Sequence, residues 1–402
     1  MSFPIPYLPQ AVFSVQGGPQ PNVPRALIAP SRYIQGDRIL DHLGRYLSIV
    51  PSKRAAILFS VGAQQRFGER VSKSLNSVQV DSTWVTFQGE CSYEEVHRVE
   101  EILRAEPTPV DSVIALGGGK CIDTGRFVAY RLGVPVVVCP TLASNDAPCA
   151  ALSVMYRPDG VHKGVEFFPH SPALVAIDSG IVAKAPVRYL VAGMGDAMAT
   201  WYEARTCLQN SQARTVLGAR PTLAASAIGE LCANTLFEHG LSAIEAVKRS
   251  EVDDALERIV EANTLLSGIG FESGGLAGAH SIAQSLTVVP KVHHSYLHGE
   301  MVAIGLLTQL HLEEREDEGK KVAEFFAKVG LPIHLGQISL SPKNEAEVND
   351  VMEAAMTLPI LRNEPFEVTK ISLLTAASKA HEMGLEIEQT IGNAAYNALH
   401  HK

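Results

Sequence analysis

Residues 111–133, DSVIALGGGKCIDTGRFVAYRLG, run from an apolar strand-like stretch into three consecutive glycines and then into a helical pattern. A strand-to-helix turn built from glycines lets backbone N–H groups come close to a phosphate. The helix N-terminus adds partial positive charge there. Gly117, Gly118, Gly119 and Lys120 can therefore hold a pyrophosphate, although the spacing is neither GxGxxG nor that of a P-loop. A tight turn needing positive φ is the plainer alternative. The next apolar run, VPVVVCPT, ends at Thr141, with Ser144 and Asp146 just beyond. Ligands of open parallel sheets collect at such strand ends.

Around this unit, short apolar runs (AAILFS, DSTWVTF, VPVVVCPT) alternate with helical segments, which predicts parallel βαβ units. After about Pro186, apolar residues recur every three or four positions over long stretches, so the second half should be helical. The expected division is a flexible Pro/Gly-rich arm over 1–25, a dinucleotide-binding α/β domain over 26–185 and a helical metal-binding domain over 186–402. The 402 residues, 46% of them hydrophobic and 19% charged, suffice for two cores. A net charge of -9 without basic blocks argues against nucleic acid or anionic membrane as partner and for a small molecule. No apolar run is long enough to span a bilayer, and the six dispersed cysteines suggest reduced thiols, so a cytoplasmic location is expected.

Three residues could form a metal site. Asp196 follows two glycines in GMGDAMATWYEAR, where an N-cap is the ordinary role and a metal ligand the other. His280 and His298 lie five helical turns apart, about 27 Å on one unbroken helix. Pro290 between them predicts a helix ending near Thr287, a loop carrying His293 and His294, and a second helix with His298 near its start. Such a helical pair can bring both imidazoles to one carboxylate, giving three ligands and an open position, the pattern of catalytic zinc.

The ordered set APSRYIQG, GGGKCIDTGRFVAY, PTLASNDAPCAALSVMY, GMGDAMATWYEAR, EANTLLSGIGFESGGLAGAH and HHSYLHGEMVAIG resembles the metal-dependent, iron-containing type of polyol dehydrogenases, in their glycerol dehydrogenase branch. The resemblance implies an α/β Rossmann-like N-terminal domain followed by an all-α C-terminal domain, the dehydroquinate synthase-like architecture. It places Asp196, His280 and His298 on the zinc, and Asp146 and Phe271 beside the polyol. Gly118, Gly119, Lys120, Asp123, Thr141, Ser144, Leu152 and Tyr156 fall on the dinucleotide. It also implies NAD as cofactor (NADP being possible), zinc (or iron or manganese), a homo-oligomer, and reversible oxidation of glycerol and related vicinal diols to dihydroxyacetone. The alternative is a phosphorylated-substrate relative, a glycerol-1-phosphate dehydrogenase or a dehydroquinate synthase-like lyase.

Several positions depart from the family pattern. A ribose-binding Asp is replaced by Phe59 or Ser60, with Arg54 and Arg66 nearby in sequence, and Ala150 replaces a frequent Ser. Thr200 stands where wider relatives carry a fourth ligand, as expected for this branch. Cys121 follows the GGGK lysine, and a thiol at a helix N-terminus is expected to be acidic and reactive.

Overall fold

Residues 7–13, 23–341 and 345–400 are described in a computed structural model. In chain order its strands are β1 (Tyr33–Gly36), β2 (Arg54–Phe59), β3 (Asp81–Thr86), β4 (Ser112–Gly117), β5 (Val136–Pro140), β6 (Leu152–Tyr156), β7 (His162–Phe167) and β8 (Leu174–Asp178). Six of them form one parallel sheet in the order β1-β8-β5-β4-β2-β3. The chain steps outward from β2 to β3, then returns to the other side of β2 at β4 and continues to β5 and β8. That reversal creates a crevice at the carboxyl ends of β2 and β4, where the glycine turn lies.

Strand residues alternate between two cores, as a period of two requires. Ala55, Ile57, Phe59, Ile114, Leu116, Val137, Cys139, Leu174 and Ala176 face one side, with Leu43, Val71 and Leu75 packed on them. Ala56, Leu58, Val113, Val138, Val175 and Ile177 face the other, in a core continuous with the helical half of the chain. From Val187 onward every described element is a helix. The hairpin of β6 and β7, which the sequence reading did not anticipate, packs on the Gly119–Leu132 helix: Val154 N donates to Asp123 Oδ2 at 3.0 Å and Ser153 Oγ to Asp123 O at 2.8 Å.

The helical half contains a π-helical turn, Ala262–Leu266, between the helices Asp254–Glu261 and Ser267–Gly274. Inserted turns of this kind re-aim side chains, often at functional sites. Here Asn263 Nδ2 donates to Ala143 O (2.9 Å) and Leu190 O (3.0 Å), tying the loop after β5 to the helical half.

Of the expected arm, residues 1–6 and 14–22 lie outside the described residues. The described part is docked: Gln10 Nε2, in the helix Pro9–Phe13, donates to Val216 O at 3.4 Å, and Arg25 Nη1 to Pro221 O at 2.5 Å. Among the described residues, no helix is long and apolar enough to cross a membrane.

Candidate metal and dinucleotide site

Asp196 is not an N-cap. Its helix starts nine residues earlier and runs Val187–Gln209, so the carboxylate projects from the middle of a buried helix. The two glycines that look like a helix stop serve close packing instead. A Cβ on Gly193 would lie 2.1 Å from Ala143 O, one on Gly195 2.3 Å from Gly299 O, and one on Gly299 1.8 Å from Ala192 O. A Cβ on Gly305 would lie 2.1 Å from Ala279 O. Glycine is required at such backbone contacts: the first seats the loop after β5 on the Val187–Gln209 helix, and the other three press the helices Val187–Gln209, Gly278–Leu286 and His298–Leu312 together.

The consequence is convergence. One ligand atom from each of Asp196, His280 and His298 lies within 4.8 Å of the other two. His280 Nε2 and His298 Nε2 each sit 3.4 Å from Asp196 Oδ1. That oxygen is buried and, among the described residues, accepts no hydrogen bond, although Asp196 Oδ2 accepts one from Asp146 N at 3.2 Å. An orphaned carboxylate oxygen costs free energy unless something positive completes it. Ligand atoms about 3.4 Å apart form the edge of a tetrahedron with arms of about 2.1 Å, the usual zinc–ligand length. The residues present therefore fit a cation.

The electrostatics agree. Burial would raise Asp196, but the His298 and His280 imidazoles outweigh it and hold its carboxyl far below the usual range. Burial opposes charge on His280, yet the Glu203 and Asp196 carboxylates hold its imidazole well above its ordinary value. The pocket thus favours positive charge at this point.

The sequence reading missed Glu203, which is fully buried. Its Oε2 lies 2.5 Å from His280 Nδ1, and its Oε1 accepts from Ala277 N (2.7 Å) and His280 N (2.9 Å). With the proton on Nδ1, the lone pair of His280 Nε2 faces Asp196, as outer partners of metal-binding histidines generally arrange. The available signal was its spacing: Glu203 follows Asp196 by seven residues, two turns along the same helix face.

Asp146 stands beside the cluster. Burial, and next the Asp196 charge, push its carboxyl well above the ordinary range. Ser267 Oγ donates to its Oδ2 at 3.0 Å and pairs with Thr200 Oγ1 at 2.8 Å. The position of the possible fourth ligand thus supports Asp146 through Ser267. Phe271 is buried with Ala150 and Leu152 in an apolar wall, and the neighbouring Glu272 accepts from Ala151 N at 3.1 Å. Burial pushes the Glu272 carboxyl up to about 7.

At the crevice, Gly118 caps the Gly119–Leu132 helix and Thr141 N donates to Gly117 O at 3.0 Å. None of the three glycines takes a positive φ. Two of them are needed for space: a Cβ on Gly117 would lie 2.8 Å from Cys121 Cβ and one on Gly119 3.2 Å from Asn145 Nδ2. Lys120 Nζ pairs with Glu90 at 2.7 Å and lies 4.9 Å from the Tyr156 ring centre. Ser144 is half-buried on the loop after β5. Asp123 is buried and committed to protein partners: its Oδ1 pairs with Arg126 at 2.7 Å, and Leu152 O also accepts from Arg126, so these groups hold the hairpin.

Three expectations are corrected. Cys121 is not a reactive thiol: it is buried beneath β2 and β4, with Sγ 3.7 Å from Leu116 O, and burial drives its pKa up. Pro290 opens a short helix, Pro290–Ser295, rather than a loop, and His293 and His294 lie on it. Arg54 begins β2, at the end remote from the crevice, paired with Glu106 at 2.7 Å.

A family model described as iron-containing alcohol dehydrogenase matches residues 30–179. The chain is 43% identical to a glycerol dehydrogenase of Thermotoga maritima, over 89% of this chain and 97% of that one. It is 40% identical to one of Citrobacter freundii, over 90% and 98%. The crystal structure of a glycerol dehydrogenase from Schizosaccharomyces pombe superposes with a TM-score of 0.86 at 31% identity, covering 92% of this chain and 93% of that one. Similarity of this extent, on a fold that gathers a carboxylate and two imidazoles beside a glycine turn, means that the chain is an oxidoreductase and belongs to the iron-containing alcohol dehydrogenase family, among its glycerol dehydrogenases.

Proposed function

We propose that this enzyme oxidises glycerol and related vicinal diols reversibly, glycerol giving dihydroxyacetone, with NAD as hydride acceptor and zinc held by Asp196, His280 and His298. The observation that carries it is the buried, unpartnered Asp196 Oδ1 with an imidazole Nε2 3.4 Å away on each side, at the end of a dinucleotide-type crevice. When bound, a divalent cation supplies Lewis acidity toward an alcohol oxygen, and the nicotinamide supplies the hydride acceptor.

The protein's own residues do the rest. Glu203 fixes the His280 ring through Nδ1. Ser267 holds the Asp146 carboxyl beside the cluster, where it can accept a hydroxyl of the diol. Phe271 and Ala150 provide an apolar wall that excludes water from the reacting carbon. Gly118, Gly119 and Thr141 shape the pyrophosphate seat. Residues 26–185 serve the dinucleotide and 186–402 the metal, with the loop after β5 reaching across. A homo-oligomer is supported by leucines left exposed along the Leu223–Lys248 helix: Leu223 (73%), Leu231 (55%) and Leu241 (48%).

The phosphorylated-substrate alternative wants free cations beside the metal. Lys291, the lysine nearest in sequence to His280, is exposed and paired with Glu347 at 2.7 Å. Initial rates with NAD on glycerol, 1,2-propanediol and ethanol, before and after chelation and zinc repletion, test the proposal. Diol oxidation lost on chelation and restored by zinc is expected; turnover indifferent to chelation would refute it.

A further inference from the structure

The path of the dinucleotide follows from two fixed points. Its nicotinamide must reach the carboxylate–imidazole cluster, which adjoins Asp146 on the loop after β5. Its pyrophosphate belongs at the glycine turn after β4. Because β5 and β2 flank β4 on opposite sides, the adenosine end must lie over the carboxyl end of β2. That end is Phe59 and Ser60, and Ser60 N donates to Leu116 O at 3.3 Å, so it abuts the glycine turn.

Discrimination between the two nicotinamide dinucleotides is made at this ribose. A carboxylate at the strand end accepts the 2′-hydroxyl and repels a 2′-phosphate, whereas an arginine nearby accommodates the phosphate. Here the strand end carries a hydroxyl, and the first turn of the following helix, Val61–Asn76, contains no acid. Arg66 folds back onto that turn: its Nε donates to Gly62 O at 2.8 Å, and a Cβ on Gly62 would lie 3.3 Å from its Nη2. The guanidinium rests on Phe67 and leaves its other N–H groups toward solvent, where a phosphate can take them. Glu90, an acid close to the crevice, is committed to Lys120.

We propose that Ser60 and Arg66 form a seat for a 2′-phosphate, so that this enzyme accepts NADP as well as NAD. This rests on the reading of the crevice as a dinucleotide site. The test titrates the full-length, zinc-loaded protein with NADH and with NADPH, following nicotinamide fluorescence, for the wild type, Ser60→Asp and Arg66→Ala. In the wild type the two dissociation constants should lie within about tenfold of each other, because one arginine and a helix terminus offset the phosphate's desolvation. Each substitution should raise the NADPH/NADH ratio of dissociation constants at least about tenfold, the effect of one nearby charge on a dianion. Wild-type NADH binding with NADPH more than about a hundredfold weaker would overturn the proposal alone, as would substitutions that leave the ratio unchanged. Failure of both dinucleotides to bind would instead overturn the crevice reading, and this proposal with it.

Discussion

The two ends of the crevice are built on opposite plans. At the metal end, Asp196, Glu203 and His280 are buried, their polar atoms are paired with one another or with backbone, and a single carboxylate oxygen is left over. At the adenosine end, Ser60 is half-buried, Arg66 is exposed, and neither is fixed by another side chain's charge. On the proposed reading, preorganisation is concentrated where bonds are made and broken, and cofactor choice is left to side chains that can change without disturbing the core.

The contrast can be broken most forcefully at His280. His280→Ala should cost at least about a thousandfold in diol oxidation, several kcal/mol of transition-state stabilisation, and should abolish zinc retention. Metal analysis after gel filtration and an NADH titration check it: zinc should disappear while the nucleotide still binds, and joint loss would show that the two ends are not separable. Glu203→Gln should weaken zinc by roughly 10–100-fold, the usual cost of removing an outer partner of a metal-binding histidine. Equilibrium dialysis against a competing chelator would expose unchanged affinity, which would reduce Glu203 to a core acid.

Gly299→Ala places a methyl 1.8 Å from Ala192 O and 3.0 Å from Asp196 N, and the helices must part. About 2–4 kcal/mol of stability should go, with zinc affinity falling further than NADH affinity. A melting temperature equal to wild type would refute the backbone clasp.

At the wall beside the site the effect depends on pH and vanishes in acid. The Glu272 carboxyl is raised from 4.5 to about 7 by burial, so folding favours its protonated form. The stability it contributes is complete below pH 4.5 and is lost as pH rises through about 7. Glu272→Gln can still accept from Ala151 N, and should flatten this slope and stabilise the protein by up to about 3 kcal/mol at pH 8. Thermal melts of both proteins at pH 5 and pH 8 check this; parallel shifts would show that Glu272 does not titrate on folding.

What could be read in the chain divides along physical lines. The parallel sheet was legible because β4 and β5 are short, apolar and followed by chain-reversing residues, signals that act within a few positions. The helical half was legible from its periodicity. The N-cap alternative for Asp196 fails because glycine reports a missing Cβ and cannot say whether the space serves a turn or a packed neighbour: Gly193 makes room for Ala143 O on the loop after β5, and Gly195 for Gly299 O on a helix. Cys121 was misjudged for a related reason, since proximity to a helix terminus shows in the sequence but depth beneath a sheet does not. Glu203 and Ser267 went unnoticed because their roles depend on partners 77 and 121 residues away.

The π-helical turn at Ala262–Leu266 carries a consequence for how this half can vary. It holds one residue more than an ordinary turn, and everything after it is phased accordingly. Deleting that residue would let the pitch relax and rotate the following segment by about 100°. Ser267 would swing off Asp146, and Phe271 out of its apolar wall, in a single step. An exposed side chain on this helix can be exchanged singly, but the helix cannot be shortened without dislodging both residues at once.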